Sequence, residues 1–281
     1  MTTSSEKSAH IQRFGTHGTW GWFGQFSPAE AAQIEELGYG AIWLGGSPKH
    51  LRPVHKVLAA TQNITVATGI VNIWNTDAAT IAGEYADLEN EFPGRFYLGI
   101  GAGHPEATAE YTKPYDAVSR YLDVLDEHGV PAERRLLAAL GPRMLRLSAD
   151  RALGAHPYLT PPAHTKIARE TLGEGVLLAP EHKVVVDTDP AAARAVGRPP
   201  VDQPYLHLRN YTSNLKRLGW TDADIENGGS DELIDALVAH GDAAAVRRQV
   251  DEHLAAGADH VAVQVLGSET PVEQLAAIIK A

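Results

Sequence analysis

Short apolar runs alternate with longer amphipathic ones along almost the whole chain, and this alternation restricts the fold more than any other property of the sequence. Runs such as residues 64–70 and 95–100 carry apolar and small residues without polar alternation, the pattern of strands covered on both faces of a parallel sheet. Comparable runs occupy residues 11–19, 40–44, 135–140, 155–159, part of 175–186, and 260–266. Helix signals separate them. Ser27-Pro28-Ala29-Glu30 is a capping box with proline at the first helical position, Gly38 can close that helix, and Ile34 and Leu37 share its buried face. Thr270-Pro271-Val272-Glu273 repeats the box, and Asp189-Pro190 opens a helix in simpler form. Leu37-Gly38, Leu153-Gly154 and Ala256-Gly257 each place a glycine turn before a strand. Val246, Val250 and Leu254 form an apolar row on the helix that Gly257 ends.

The repeating unit is therefore βα, and eight strands in order without a linker favour closure into a barrel over an open doubly wound sheet. The expected architecture is α/β: a (β/α)8 TIM barrel over residues 11–281, after a disordered N-terminus over residues 1–10. Residues 201–241 break the repeat with Pro204, Gly219, Gly228 and Gly229, and read as a helical insertion before the last crossover helix. Such an insertion lies at or over the strand-end face, where a barrel carries its chemistry.

A net charge of -11 and a pI near 5.6 argue against nucleic-acid and anionic-membrane partners, which require clustered Lys and Arg. Residues 1–9 lack the apolar stretch of a signal peptide, and no run reaches the length of a membrane span, so the expected location is cytoplasmic. The absence of cysteine removes disulfides, thiolate metal sites and thiol nucleophiles. No Gly-x-Ser-x-Gly elbow or Gly-Lys-Ser/Thr nucleotide loop is present.

Two neighbouring strands end in glycine: Thr65 to Gly69, and Phe96 through Gly99, Gly101 and Gly103. Missing side chains at strand ends leave room for a flat ligand or for close packing of backbone. Gly99-x-Gly101-x-Gly103 lacks the third glycine and the downstream acid of a dinucleotide fingerprint. His17, His104, His156 and His207 could gather at strand ends, but no metal-ligand spacing connects them, and no metal is expected. Trp20, Trp22, Trp43 and Trp74 fall near the same ends and could wall a flat pocket or fill the core.

Four segments together resemble the bacterial luciferase-like superfamily of flavin- and deazaflavin-dependent oxidoreductases. They are Ala67-Thr68-Gly69-Ile70-Val71-Asn72-Ile73-Trp74, the stretch from Asp87 to Gly103, Leu140-Gly141-Pro142-Arg143-Met144-Leu145, and Ala255-Ala256-Gly257-Ala258-Asp259-His260-Val261. Gly45-Gly46-Ser47-Pro48 and Ala155-His156-Pro157-Tyr158 resemble a short branch described as F420-dependent oxidoreductases. The resemblance implies a redox ring at the strand ends and a non-proline cis peptide at Gly69-Ile70 behind it. It further implies that Gly101, Gly103 and His104 form a loop beside the ring, and that Gly141 and Pro142 approach the phosphate. Pairing into a homodimer through helices near the second and third strands is also implied.

The sequence departs from the sugar-phosphate dehydrogenases of this group. Gly45-Gly46 stands where they carry an Asp-His pair, His104 replaces an acid, and Pro161-Pro162 occupies the region of their phosphate lysine. Sugar-phosphate oxidation is thereby disfavoured. The expected activity is hydride transfer between a deazaflavin, coenzyme F420, and a small-molecule substrate. Gly69, Ile70, Asn72, Gly101, Gly103, His104, Gly141 and Pro142 would hold the cofactor, with His104 as proton donor. Trp43, Trp74, His156, Tyr158 and Asn210 would form the substrate pocket. An FMN-dependent luciferase-like monooxygenase and a noncatalytic flavin- or deazaflavin-binding protein are the alternatives.

Overall fold

A computed structural model of the chain describes residues 4–103 and 113–281. Its first half comprises α1 (Ser4–Gln12), β1 (His17–Trp22), α2 (Pro28–Glu36), β2 (Ala41–Gly45), α3 (Arg52–Ala60), β3 (Thr65–Thr68) with its continuation β4 (Val71–Asn72), α4 (Ala78–Glu91), β5 (Phe96–Gly101) and α5 (Pro114–Glu127). The second half opens with β6 (Arg135–Leu137), α6 (Pro142–Arg151), β7 (Gly154–Ala155), α7 (Pro162–Leu172), and β8 (Leu177–Leu178) continuing as β9 (Glu181–Val186). It goes on through α8 (Pro190–Asp202), α9 (Arg209–Arg217), α10 (Asp222–Ile225), α11 (Asp231–Leu237), β10 (Val238–Gly241), α12 (Ala243–Ala255), β11 (Val261–Val265) and α13 (Pro271–Lys280).

The ring strands pair in parallel and in chain order, and β1 meets β11 at His17 and Val261. The β8–β9 segment closes the barrel, since Glu181 N–H donates to Pro157 O at 2.9 Å on one edge and Ala262 N–H to Pro180 O at 2.9 Å on the other. This is the expected (β/α)8 barrel with its helical insertion before α12. The insertion adds an element that the sequence pattern does not announce: β10, paired in parallel with β9.

Alternation within each strand separates two cores. On β2, Ala41 and Trp43 point into the barrel with Phe14, Ala67 and Tyr97, while Ile42 and Leu44 face the outer helices with Val66 and Leu98. Ser27 caps α2 as the sequence predicts, accepting from Glu30 N–H while Glu30 accepts from Ser27 N–H. Thr270 precedes α13, but its side chain makes no capping bond because ψ is 64° rather than extended.

The N-terminal segment corrects two expectations. Residues 4–12 form helix α1 rather than a disordered tail, and the first strand begins at His17 rather than near residue 11. Ile11 and Phe14 read as strand residues because they are apolar, yet they plug the lower end of the barrel. Phe14 is fully buried, 4.7 Å from the Tyr97 ring and 5.5 Å from Trp43. His10 Nδ1 meets Tyr97 Oη at 2.8 Å and fastens the plug. Gly154 also lies inside a strand rather than in a turn, because a Cβ there would come within 1.9 Å of Leu177 O. Among the described residues, no helix is long and apolar enough to cross a membrane.

Candidate active site

At the carboxyl ends of the strands lies a cavity of about 630 Å³, within the range of small-molecule sites. Its floor is built by β1, the β3–β4 junction and the segment after β7, which contribute Trp20, Gly69, Ile70 and His156. The Gly69-Ile70 peptide bond is cis, as the resemblance implies. Neighbouring strands hold it: Gly69 N–H donates to Leu44 O at 2.8 Å, and Ser47 Oγ donates to Ile70 O at 3.0 Å.

Trp20 explains the glycine that ends β2. A Cβ on Gly45 would lie 1.8 Å from the Trp20 ring, so the indole fills the space that a side chain there would need. The Gly45-Gly46 departure is therefore a steric consequence of an aromatic floor. Trp22, 52% exposed, extends that floor toward the mouth with its ring edge-on to Trp20 at 5.2 Å.

One wall is a line of aromatic rings joining the barrel to the insertion. Tyr158 contacts Trp20 at 5.2 Å and Tyr205 at 5.4 Å, and Tyr205 contacts Tyr211 at 4.9 Å. Tyr205, Asn210 and Tyr211 come from the insertion, which thus lies over the strand-end face as its sequence position predicts. Behind Tyr158, Lys183 Nζ sits 3.8 Å from the ring centre, 3.0 Å from Glu181 Oε1 and 3.1 Å from Gln264 Oε1. Burial pushes the Lys183 ammonium down and the Glu181 carboxyl up, and each charge opposes the shift of the other. Tyr158 Oη donates to Gln264 Oε1 at 2.9 Å, so the wall rests on this polar group.

Another part of the rim is the first turn of α6, where Gly141, Pro142, Arg143 and Met144 line the cavity. Gly141 caps the helix without a side-chain bond, and Arg143 lies over the Tyr115 ring at 4.3 Å. A helix N-terminus beside a guanidinium suits an anionic group.

Residues 27–128 match the luciferase-like monooxygenase family. An F420-dependent secondary alcohol dehydrogenase solved with an F420-acetone adduct superimposes with a TM-score of 0.72 at 16% identity, over 95% of this chain and 98% of that one. The coenzyme F420-dependent tetrahydromethanopterin reductase of Methanopyrus kandleri gives 0.65 at 18% identity, over 94% and 96%. The oxygenating constituent of 3,6-diketocamphane monooxygenase from Pseudomonas putida, solved with FMN, gives 0.64 at 14%, over 95% and 96%. No curated protein sequence matches. The family likeness thus rests on residues 27–128, and the structural neighbours share the fold over nearly the whole chain.

Of the residues singled out in the sequence, Gly69, Ile70, Asn72, Gly103, Gly141, Pro142, His156, Tyr158 and Asn210 line the cavity. Others do not. Trp43 is fully buried beneath the floor, stacked on His156 at 4.0 Å and donating through Nε1 to His260 Nε2 at 2.9 Å. Trp74 turns away and donates from Nε1 to Ala102 O at 2.7 Å. Gly101 serves packing, since a Cβ there would come within 2.9 Å of Ala138 and 3.3 Å of Ile70. His104, the expected proton donor, lies outside the described residues. The histidines do not gather: His17 pairs with Asp251 at 2.7 Å at the start of β1, and His207 pairs with Asp202 on the insertion.

Sequence reasoning missed Tyr205 and Tyr211 as lining residues, although Asn210 beside them is in place. Arg143 and Tyr115 were likewise not singled out. Only Arg143 carried a signal, as the cation directly after Gly141-Pro142.

Proposed function

We propose that the protein is an oxidoreductase that transfers a hydride between a deazaflavin and a small organic substrate bound in the strand-end cavity. The carrying observation is the form of that cavity: about 630 Å³, a floor free of side chain at Gly69, and the first turn of α6 with Arg143 on its rim. These residues fit a flat ring with an anionic tail. Gly69, Ile70, Asn72 and Gly103 would hold the ring, and Gly141, Pro142 and Arg143 the tail. When bound, such a cofactor supplies the hydride chemistry.

The chain's own residues supply shape and exclusion of water. Tyr158, Tyr205 and Tyr211 wall the cavity, and the insertion that carries two of them covers part of the mouth. His156 does not serve as a proton donor at neutral pH, because burial lowers its pKa to about 4. The F420-dependent neighbours support the deazaflavin reading, and the FMN-bound neighbour defines the competing one.

Equilibrium titration of the purified chain with oxidised F420 and, separately, with FMN tests the proposal. Micromolar or tighter binding of F420 is expected, with hydride exchange toward at least one member of a small-molecule panel. Tight binding of FMN alone would overturn it, and F420 binding without any exchange would leave a noncatalytic binder.

A further inference from the structure

Asn227 and Gly228 form the centre of a type I′ turn between α10 and α11. Their φ angles are 54° and 83°, and Gly229 N–H closes the turn onto Glu226 O at 3.1 Å. Asn227 is exposed, and Gly228 N–H has no acceptor among the described residues. Gly228 has no Cβ to shield its own nitrogen. A side-chain amide therefore stands one residue ahead of an unengaged backbone N–H, in a turn open to water.

The other asparagines are set differently. Asn90 lies in α4, and Asn210 and Asn214 lie in α9. Ile73 N–H, which follows Asn72, donates to Gly101 O at 3.0 Å, and Ile64 N–H, which follows Asn63, donates to Glu35 Oε1 at 2.7 Å. Asn75 precedes Thr76, whose branched Cβ crowds the backbone nitrogen.

The Asn227 turn is held from one side by Arg198 of α8. Its Nη1 donates to Gly228 O at 3.3 Å and to Gly229 O, and its Nη2 pairs with Asp231. Gly229 is buried, and a Cβ there would lie 3.1 Å from Leu206, the neighbour of the cavity-wall residue Tyr205. Asp202 is also close, with Cγ 3.7 Å from a Cβ placed on Gly228.

We propose that Asn227 is a self-modification site, at which the chain converts its own asparagine to aspartate and isoaspartate. The Gly228 nitrogen attacks Asn227 Cγ, the bond from Cγ to the side-chain nitrogen breaks, and the Gly228 amide proton leaves with that nitrogen as ammonia. Water then opens the resulting succinimide at either carbonyl, and nothing is oxidised or reduced. Closure of the ring requires rotation about the Asn227 Cα–C bond out of the type I′ geometry, and the Arg198 contacts to the two glycine carbonyls resist that rotation. The product sets a carboxylate beside Glu226, Asp202 and Asp231, where it competes for Arg198, and isoaspartate also lengthens the main chain by one methylene. Both changes loosen the seat of Gly229 against Leu206, so the insertion carries a chemical clock that weakens the support of the Tyr205 wall. This chemistry is independent of what the cavity binds.

The full chain, held in warm and mildly alkaline buffer beside a synthetic peptide of residues 222–232, provides the test. Peptide mapping by mass spectrometry and enzymatic methylation of isoaspartate read the product without cofactor or turnover. Conversion is expected at Asn227 ahead of every other asparagine, and Asn227→Gln should abolish it. Arg198→Ala should speed conversion roughly fivefold by removing the contacts that hold the turn. Arg194→Ala breaks pairs with Asp231 and Asp235 but frees no carbonyl of the turn, and should leave the rate unchanged. Hydrogen exchange at residues 228–234 should be faster in converted protein than in fresh protein.

An Asn227 that stays intact while the peptide is consumed overturns the proposal, as does faster conversion at another asparagine; this comparison stands even where a variant fails to fold. Equal acceleration by both arginine variants removes Arg198 as the restraint. Unchanged exchange in fully converted protein removes the link to the cavity wall.

Discussion

The two halves of the barrel bury different kinds of group. From β1 to α5 the buried polar residues among those described are His17 and four threonines, Thr19, Thr61, Thr65 and Thr68, set among Ile42, Leu44, Val66, Ile81, Phe96 and Leu98. From β6 onward the interior takes in Arg135, His156, His164, Glu181, His182, Lys183, His253, His260 and Gln264. Hydrocarbon tolerates exchange of one shape for another of similar volume, whereas each buried polar group requires a particular partner. The family match falls in the first half, at residues 27–128. The second half carries the insertion and the polar support of the cavity wall.

Lowering the pH should separate the halves most strongly. His156, His182 and His260 are held neutral by burial, with pKa values of about 4, about 4 and about 3, and His253 lies well below its usual value. Each folded-state pKa is below the unfolded value of 6.5, so the unfolded chain takes up protons first. Stability is fully present above that value and falls as the pH drops toward 4, at up to ~1.4 kcal/mol per pH unit for each histidine. Urea denaturation from pH 7.5 to 4.5 measures the slope. Ile81→Ala in the first half should lower the curve without changing its shape, and a flat wild-type profile would contradict this account.

Lys183→Met comes next. It leaves the Glu181 carboxyl buried with the Leu159 N–H, 2.9 Å away, as its remaining partner, and should cost about 3–5 kcal/mol in denaturant unfolding. Adding Glu181→Gln should recover much of the loss; equal stability of all three proteins would show that the pair is not a structural unit.

Gly45→Ala probes the packing of β1 against β2 within the first half. The new methyl meets the Trp20 ring, so about 1–3 kcal/mol should be lost and the tryptophan emission altered. Unchanged emission at full stability would refute the steric origin of this glycine.

The smallest contrast involves one sequence motif at two places. Ser27→Ala should cost about 1 kcal/mol, because Ser27 completes a capping box. Thr270→Ala should cost close to nothing, because the Thr270 side chain caps nothing. Comparable losses at both sites would show that the motif alone decides.

That last pair marks how far the sequence was legible. Ser27 and Thr270 stand in the same local pattern, yet whether the hydroxyl reaches the third amide depends on a ψ angle imposed by the preceding loop. The glycines divide in the same way. Gly69 and Gly103 line the cavity, whereas Gly99 sits where a Cβ would strike Thr68 O at 1.8 Å, so its role is strand packing. Glycine marks a place without room for a side chain; the neighbour that takes the room is visible only in three dimensions. Phe14 and Ile11 show the converse, because apolarity announces burial without saying whether a strand or a helical plug achieves it.

The sequence by itself determined the βα repeat, the order of the strands, the position of the insertion and the segments that reach the cavity. Periodicity, caps and turn residues act over a few neighbours and are written locally. Tertiary structure alone decided that Trp43 and Trp74 leave the pocket while Tyr205 and Tyr211 enter it, that Glu181 and Lys183 meet behind Tyr158, and that Trp20 occupies the space over Gly45. Those outcomes depend on contacts between distant segments and on the direction each side chain takes once the ring is closed.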